Sequence, residues 1–288
     1  MRVLLALLFP VVIAALLAYL APRQMDAHFH LQPLEVKSVA ELEAAFEKMG
    51  YSWPPSEVPA IGLQTFPLDL ADISDAKQRK SLFFRALLPI VLAENGVINA
   101  RRERMTILFD KGVEHLNSTE LNWLKGVAEQ YEVEGALTAP QVQQQLLGRV
   151  DVVPPALVLA QAANESGWGT SRFALSGNNL FGQYTYQQVD GIVPLNRREG
   201  ETHALRAFES LDDSVRSYIH NINTNDTYNE LRNLRQQMRS NGKPFSSQVL
   251  AAGLEGYSER GAEYVEDIQS MIRSNKLPAV LKGVSLAD

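Results

Sequence analysis

Residues 3–20 are uncharged and apolar, preceded by Arg2 and followed by Pro22 and Arg23. A basic start before an apolar run is the layout of an export signal. The run is close to the ~18 residues that cross a bilayer, and longer than an ordinary signal core. Both candidate cuts, Ala18-Tyr19-Leu20 and Tyr19-Leu20-Ala21, place a bulky residue where a small one is wanted. Residues 1–25 are therefore expected to be an uncleaved anchor first, a cleaved signal second and a buried core helix third. Beyond them, residues 26–34 read as a polar stalk. Ser38-Val39-Ala40-Glu41 reads as a capping box opening a helix through Leu42, Ala45, Phe46 and Met49. Pro54, Pro55, Pro59 and Pro67 deny residues 51–72 a continuous helix, so this stretch is expected to wrap in extended form.

Helical spacing returns from Asp75 with Leu82, Phe83, Ala86, Leu87, Ile90 and Val91, and Pro89 is expected to kink it. Further helices are predicted over 97–113, from Asn117-Ser118-Thr119-Glu120, and over 138–147. Residues 151–155 form a joint. Gly177, Gly182, Gly191 and Gly200 then punctuate the chain, and 183–189 and 202–208 read as strands of a small hairpin. Helices resume over 211–223, 227–240, 246–254 and 260–275. The pattern predicts a mainly α chain with one β excursion, divided into residues 1–25, 26–150 and 151–288.

Composition narrows the chemistry. The 288 residues carry 27 Lys and Arg against 33 Asp and Glu, a net charge of −6, which argues against nucleic acid as the main partner. No cysteine is present, which excludes disulfides, thiolate metal sites and cysteine nucleophiles. The histidines at 28, 30, 115, 203 and 220 show no i,i+4 metal spacing, and no phosphate-binding glycine fingerprint occurs, so neither metal nor cofactor is expected. The clusters Arg101-Arg102-Glu103-Arg104 and Arg197-Arg198 read as solvated faces.

The chemically odd stretch is 155–169. Residues 156–163 contain one polar side chain, Gln161, and the run stops at Asn164-Glu165-Ser166-Gly167-Trp168-Gly169. A carboxyl group on the last turn of an apolar helix meets desolvation and the negative end of the helix dipole, both of which favour its protonated form. A carboxylic acid that keeps its proton is what glycosidic cleavage needs. From these residues alone a second reading stays open: Glu165 as a surface residue past a glycine-rich stop, with Trp168 plugging the core.

The run Ala162-Ala163-Asn164-Glu165-Ser166-Gly167-Trp168-Gly169, followed by Ser176-Gly177-Asn178-Asn179-Leu180-Phe181-Gly182, resembles the paired signature of bacterial endo-β-N-acetylglucosaminidase domains. A closer likeness to one bacterial member, through Lys77-Gln78-Arg79-Lys80, Phe83-Phe84, Asn95 and Asp213-Ser214-Val215-Arg216-Ser217-Tyr218, extends it over roughly 75–272. The resemblance implies a lysozyme-like α+β catalytic domain with a small β-hairpin at 151–288, preceded by a helical N-terminal region. It implies Glu165 as general acid, peptidoglycan glycan strands as partner, and cleavage of the β-1,4 bond after N-acetylglucosamine. Two departures stand out. Where the family carries a Tyr-Ala-Thr-Asp-Pro-like motif, this chain has Gly256-Tyr257-Ser258-Glu259-Arg260, making Tyr257 the candidate assisting tyrosine. Where many members supply a second glutamate, it has Glu199 and Glu201 in unfamiliar surroundings. Trp168, Asn179, Phe181 and Tyr184 are candidate substrate-binding residues, and Tyr186 and Tyr228 further aromatic faces for a sugar. A lytic transglycosylase and a non-catalytic glycan-binding module are the rival readings.

Overall fold

The computed structural model describes residues 30–185, 191–192 and 204–287. The expected anchor, Tyr186, Arg197, Arg198, Glu199, Glu201, His28 and His203 lie outside the described residues. In chain order the described elements are β1 (Gln32–Leu34), α1 (Val39–Lys48), β2 (Ile61–Leu63), α2 (Ala76–Lys111), α3 (Ser118–Gln130), α4 (Pro140–Arg149), α5 (Pro155–Ser166) and α6 (Arg172–Gly177). After these come β3 (Tyr184–Thr185), β4 (Gly191–Ile192), β5 (Ala204–Arg206), α7 (Leu211–Thr224), α8 (Asn229–Ser240), α9 (Ser247–Leu250), a 3₁₀ turn over Ala251–Tyr257, α10 (Ala262–Ser274) and α11 (Leu277–Val280). The architecture is mainly α with a small antiparallel sheet, as expected for a lysozyme-like arrangement. Contacts divide the described chain into two units, one formed by 96–151 and the other by 30–95 together with 152–287.

Local chemistry accounts for the element starts. In α1 the Ser38 hydroxyl accepts from the Glu41 amide at 3.2 Å, but the Glu41 carboxylate reaches the Lys37 amide instead of closing the box on Ser38. In α3 the box is complete: Asn117 accepts from Glu120 N–H, and the Glu120 carboxylate accepts from Asn117 N–H, both at 2.9 Å. The two helices expected on either side of Gly96 are one continuous helix, α2, running through Pro89. A mid-helix glycine costs only about 1 kcal/mol. That cost is offset here by Asn95, buried, which donates to the Val153 carbonyl at 2.8 Å and accepts from its amide at 3.1 Å.

The stalk and wrap are also more ordered than expected. Gln32–Leu34 pairs in parallel with Ile61–Leu63, and Val58 bridges to Leu286 near the chain end. Strand β5 lies between β3 and β4, antiparallel to both, so the expected pairing of two strands gains a third. Among the described residues α2 is long and apolar enough to cross a membrane, yet 67% of its apolar window is buried inside the protein. That is how a core helix behaves.

In the 96–151 unit the arginines expected on a solvated face are structural. Arg102 donates to the carbonyls of Leu147 and Val150 and stands 3.5 Å from the buried Asp151 carboxylate. Arg104 lies over the Trp123 ring at 4.0 Å, and Arg101 donates to the Tyr131 hydroxyl at 3.3 Å. The sequence shows a charge run; the structure gives the three guanidinium heads backbone carbonyls, an indole face and a phenol hydroxyl as partners.

Candidate active site

Helix α5 begins with Pro155 at its first turn, where the missing N–H costs nothing. It buries Ala156 through Ala163, Gln161 included. It ends because Gly167, Trp168 and Gly169 all take left-handed backbone angles, φ +58°, +63° and +80°. Ser166 staples the turn: its hydroxyl donates to the Ala162 carbonyl at 2.6 Å and accepts from the Gly169 amide at 2.8 Å. Gly169 is required twice over. Its φ disfavours a side chain, and a Cβ there would stand 3.0 Å from the Phe66 ring and 3.1 Å from Leu70. Trp168 holds the same backbone region because its ring is gripped edge-on by Phe83 at 5.8 Å and Phe84 at 5.3 Å, with the Lys80 ammonium 4.6 Å from its centroid.

This turn leaves Glu165, half-buried, on the last turn of α5, accepting from the Asn164 side-chain amide at 3.3 Å. Opposite it runs the Asn178–Gly182 loop. A Cβ built on Gly182 would lie 3.9 Å from Glu165 Oε2, so the carboxylate looks onto bare backbone. The loop is held from beneath. Asn179 donates to the Gln183 and Arg206 carbonyls at 2.8 and 2.9 Å and accepts from the Gln183 amide at 3.0 Å. Asn178, at φ +52°, donates to the Phe208 carbonyl at 3.1 Å. Phe181 is buried and stacks on Tyr218 with centroids 3.9 Å apart.

Tyrosines from the C-terminal helices gather around the same carboxylate. Tyr257 donates its hydroxyl to the Phe181 carbonyl at 2.8 Å, and its ring stacks on Tyr264 at 5.3 Å, with Tyr228 tilted against it at 6.0 Å. Gln161 sits between two more hydroxyls: it donates to Tyr264 Oη at 2.9 Å and accepts from Tyr218 Oη. Burial pushes the hydroxyls of Tyr218, Tyr228, Tyr257 and Tyr264 above the ordinary phenol range. The negative charge of Glu165 adds to the rise in all four. Each phenol therefore keeps its proton and remains a hydrogen-bond donor.

Among the described residues Glu165 forms no ion pair. Arg260, which feels the Glu165 charge, is paired with Asp267 at 2.5 Å and with Glu263 at 3.9 Å. No cluster of three or more His, Asp or Glu side chains is placed to hold a metal among the described residues.

The structure thus gathers Glu165, Phe181 and Tyr257 around one spot, with Asn179 bracing the loop beneath them. Tyr184 is 62% exposed on β3, and Trp168 is engaged with α2. Tyr218, Tyr264 and Gln161 also lie here, none of them among the site residues expected from the sequence. Gln161 did carry a signal, as the one polar residue in a buried apolar run.

In this fold a buried helix ends on a carboxylate that faces a glycine-closed loop and tyrosine hydroxyls. Residues 141–277 match the glucosaminidase family, described as mannosyl-glycoprotein endo-beta-N-acetylglucosaminidase, and the chain belongs to that family of glycan-cleaving hydrolases. It is similar to Protein bax of Escherichia coli strain K12, with 30% identity over 209 residues, covering 72% of this chain and 74% of Bax. No solved structure matches it significantly.

Proposed function

We propose that the protein is a peptidoglycan hydrolase that cleaves the β-1,4 glycosidic bond after N-acetylglucosamine, with Glu165 as general acid. The observation that carries this is the setting of Glu165: half-buried at the end of an apolar helix, free of an ion pair among the described residues, and open toward the Gly182 backbone. The bond from the anomeric carbon to the leaving oxygen breaks as the Glu165 proton passes to that oxygen, and water completes the hydrolysis. Tyr257 positions the site through the Phe181 carbonyl. Asn179 and Phe181 shape the groove wall, Trp168 fixes the helix stop, and Tyr184 offers an exposed aromatic face to a sugar ring. We place the catalytic segment at 151–288, braced by 30–95. Residues 1–25 export the chain and tether it to the membrane facing the cell wall.

Purified sacculi decide the reading. The wild type releases fragments with reducing N-acetylglucosamine ends, and Glu165→Gln, nearly isosteric, keeps its melting transition while losing at least ~10²-fold in rate. Undiminished turnover by that variant refutes the role of Glu165. Anhydro-sugar ends identify a lytic transglycosylase instead, and binding without soluble product identifies a glycan-binding module.

A further inference from the structure

Phe181 immediately precedes the Gly182 backbone that faces Glu165, and two separate contacts hold it. Its ring stacks on Tyr218 of α7, with centroids 3.9 Å apart and planes 10° apart. Its carbonyl accepts from the Tyr257 hydroxyl at 2.8 Å, its one hydrogen bond among the described residues. Followed inward, both contacts end on the same side chain. Tyr218 donates its hydroxyl to the Gln161 amide oxygen. Tyr257 stacks on Tyr264 of α10 at 5.3 Å with planes 6° apart, and the Tyr264 hydroxyl accepts from the Gln161 amide nitrogen at 2.9 Å. The contacts form a closed circuit with Gln161 at one end and Phe181 at the other. Gln161 is fully buried in a helix that is otherwise apolar at that depth, where a primary amide is costly unless both of its ends are satisfied. An apolar side chain of the same size fills the space without that demand. What the amide adds is direction, since a fully satisfied buried network fixes one arrangement of the rings around it.

We propose that Gln161 is a positioning residue for the loop opposite Glu165: through Tyr218 it sets the Phe181 ring, and through Tyr264 and Tyr257 it sets the Phe181 carbonyl. That carbonyl shares one rigid plane with the Gly182 amide, so holding it fixes how the Gly182 backbone is presented. Holding the ring as well removes the remaining freedom to pivot. The hydrogen bonds of Asn179 do not duplicate this, because they reach the Gln183 and Arg206 main chain and leave Phe181 untouched. A sugar lying over Gly182 therefore meets the carboxyl group at a distance set by one amide buried on the helix that carries Glu165.

The inference rests on Glu165 being the general acid and this loop the groove wall, and the test separates the two. Gln161→Met fills nearly the same volume and breaks both hydrogen bonds, whereas Tyr218→Phe and Tyr264→Phe each delete one hydroxyl and keep the ring. On sacculi, Gln161→Met is expected to lower kcat about tenfold with KM within about threefold, the scale of a misplacement under ~1 Å. The variant carrying both Tyr218→Phe and Tyr264→Phe should show the same loss. Adding Gln161→Met to it should change nothing further, because members of one network are not additive. In ¹H–¹⁵N spectra of the full chain the Gly182 amide resonance should move in Gln161→Met, a signal that lowered stability alone leaves in place. A folded Gln161→Met with wild-type kcat, a Gly182 resonance that stays put, or a triple variant whose loss multiplies that of the double overturns the proposal. If Gln161→Met does not fold, the two single tyrosine variants replace it, and each should slow turnover and move the same resonance. Activity surviving in Glu165→Gln refutes the underlying assignment instead, and the Gly182 resonance still decides the positioning.

Discussion

Two side chains, Asn179 and Tyr257, hold the loop that faces Glu165, and they differ in how many backbone groups each satisfies. Asn179 makes three hydrogen bonds to main chain, whereas Tyr257 makes one, to the Phe181 carbonyl. Buried backbone groups left without partners cost about 1–3 kcal/mol each. Asn179→Ala should therefore lower unfolding free energy by about 2–4 kcal/mol, and Tyr257→Phe by only about 1 kcal/mol, read from urea midpoints at constant slope. Both should slow turnover, Tyr257→Phe through the position of Phe181 and not through a proton it gives to substrate. At this scale Glu165 was legible, because a carboxyl group on the last turn of an apolar helix is anomalous in the sequence itself. Tyr264 was not: on α10 it is one more residue of an amphipathic helix, and its partner Gln161 stands 103 positions earlier.

Elements were legible where local chemistry decides them. Asn117 and Glu120 announce α3, Pro155 announces α5, and the glycines after Ser166 end it. Where a long-range contact decides, the local pattern misled. Helix α2 continues through Asn95 because Val153, 58 residues away, satisfies that side chain. Residues 26–34 looked like a stalk and 51–72 like a wrap because three-residue strands, one of them containing Pro33, carry no periodicity worth reading. The turn after α5 offers the sharpest test. Gly169→Ala introduces a Cβ against Phe66 and Leu70 at a left-handed φ, and should destabilise by about 2–3 kcal/mol. Gly242→Ala is the matched control. It has a similar φ of +61° but nothing within 4 Å of the added Cβ, and should cost about 1 kcal/mol, the backbone strain alone. Thermal denaturation of the two variants checks the difference.

Across the whole molecule, the family segment 141–277 packs against residues that precede it. Phe66, Leu70, Phe83 and Phe84 all lie outside it and pack directly on Trp168 or Gly169. The Leu211 amide also donates to the Gln64 carbonyl at 3.0 Å. Removing four buried aromatic and aliphatic side chains of about 1.5–3 kcal/mol each takes away an amount comparable to the whole stability of an ordinary domain, about 5–15 kcal/mol. A fragment of residues 141–288 should lack the near-UV circular dichroism and cooperative melting that the full chain shows. Recovery of both by the fragment would contradict this account.

What the sequence determined by itself was the helical class, the positions of most helix starts, and the pairing of a Glu-Ser-Gly-Trp-Gly stop with an Asn-Asn-Leu-Phe-Gly loop. These follow from hydrophobic period, capping chemistry and backbone preference, all of which act within a few residues. Tertiary structure alone decided which tyrosines meet Glu165, that Arg102 and Arg104 serve their own unit's packing, and that residues 30–95 buttress the helix stop. Those outcomes depend on close packing and on hydrogen bonds between groups distant in the chain, and the partner that satisfies a buried polar atom is not encoded beside it.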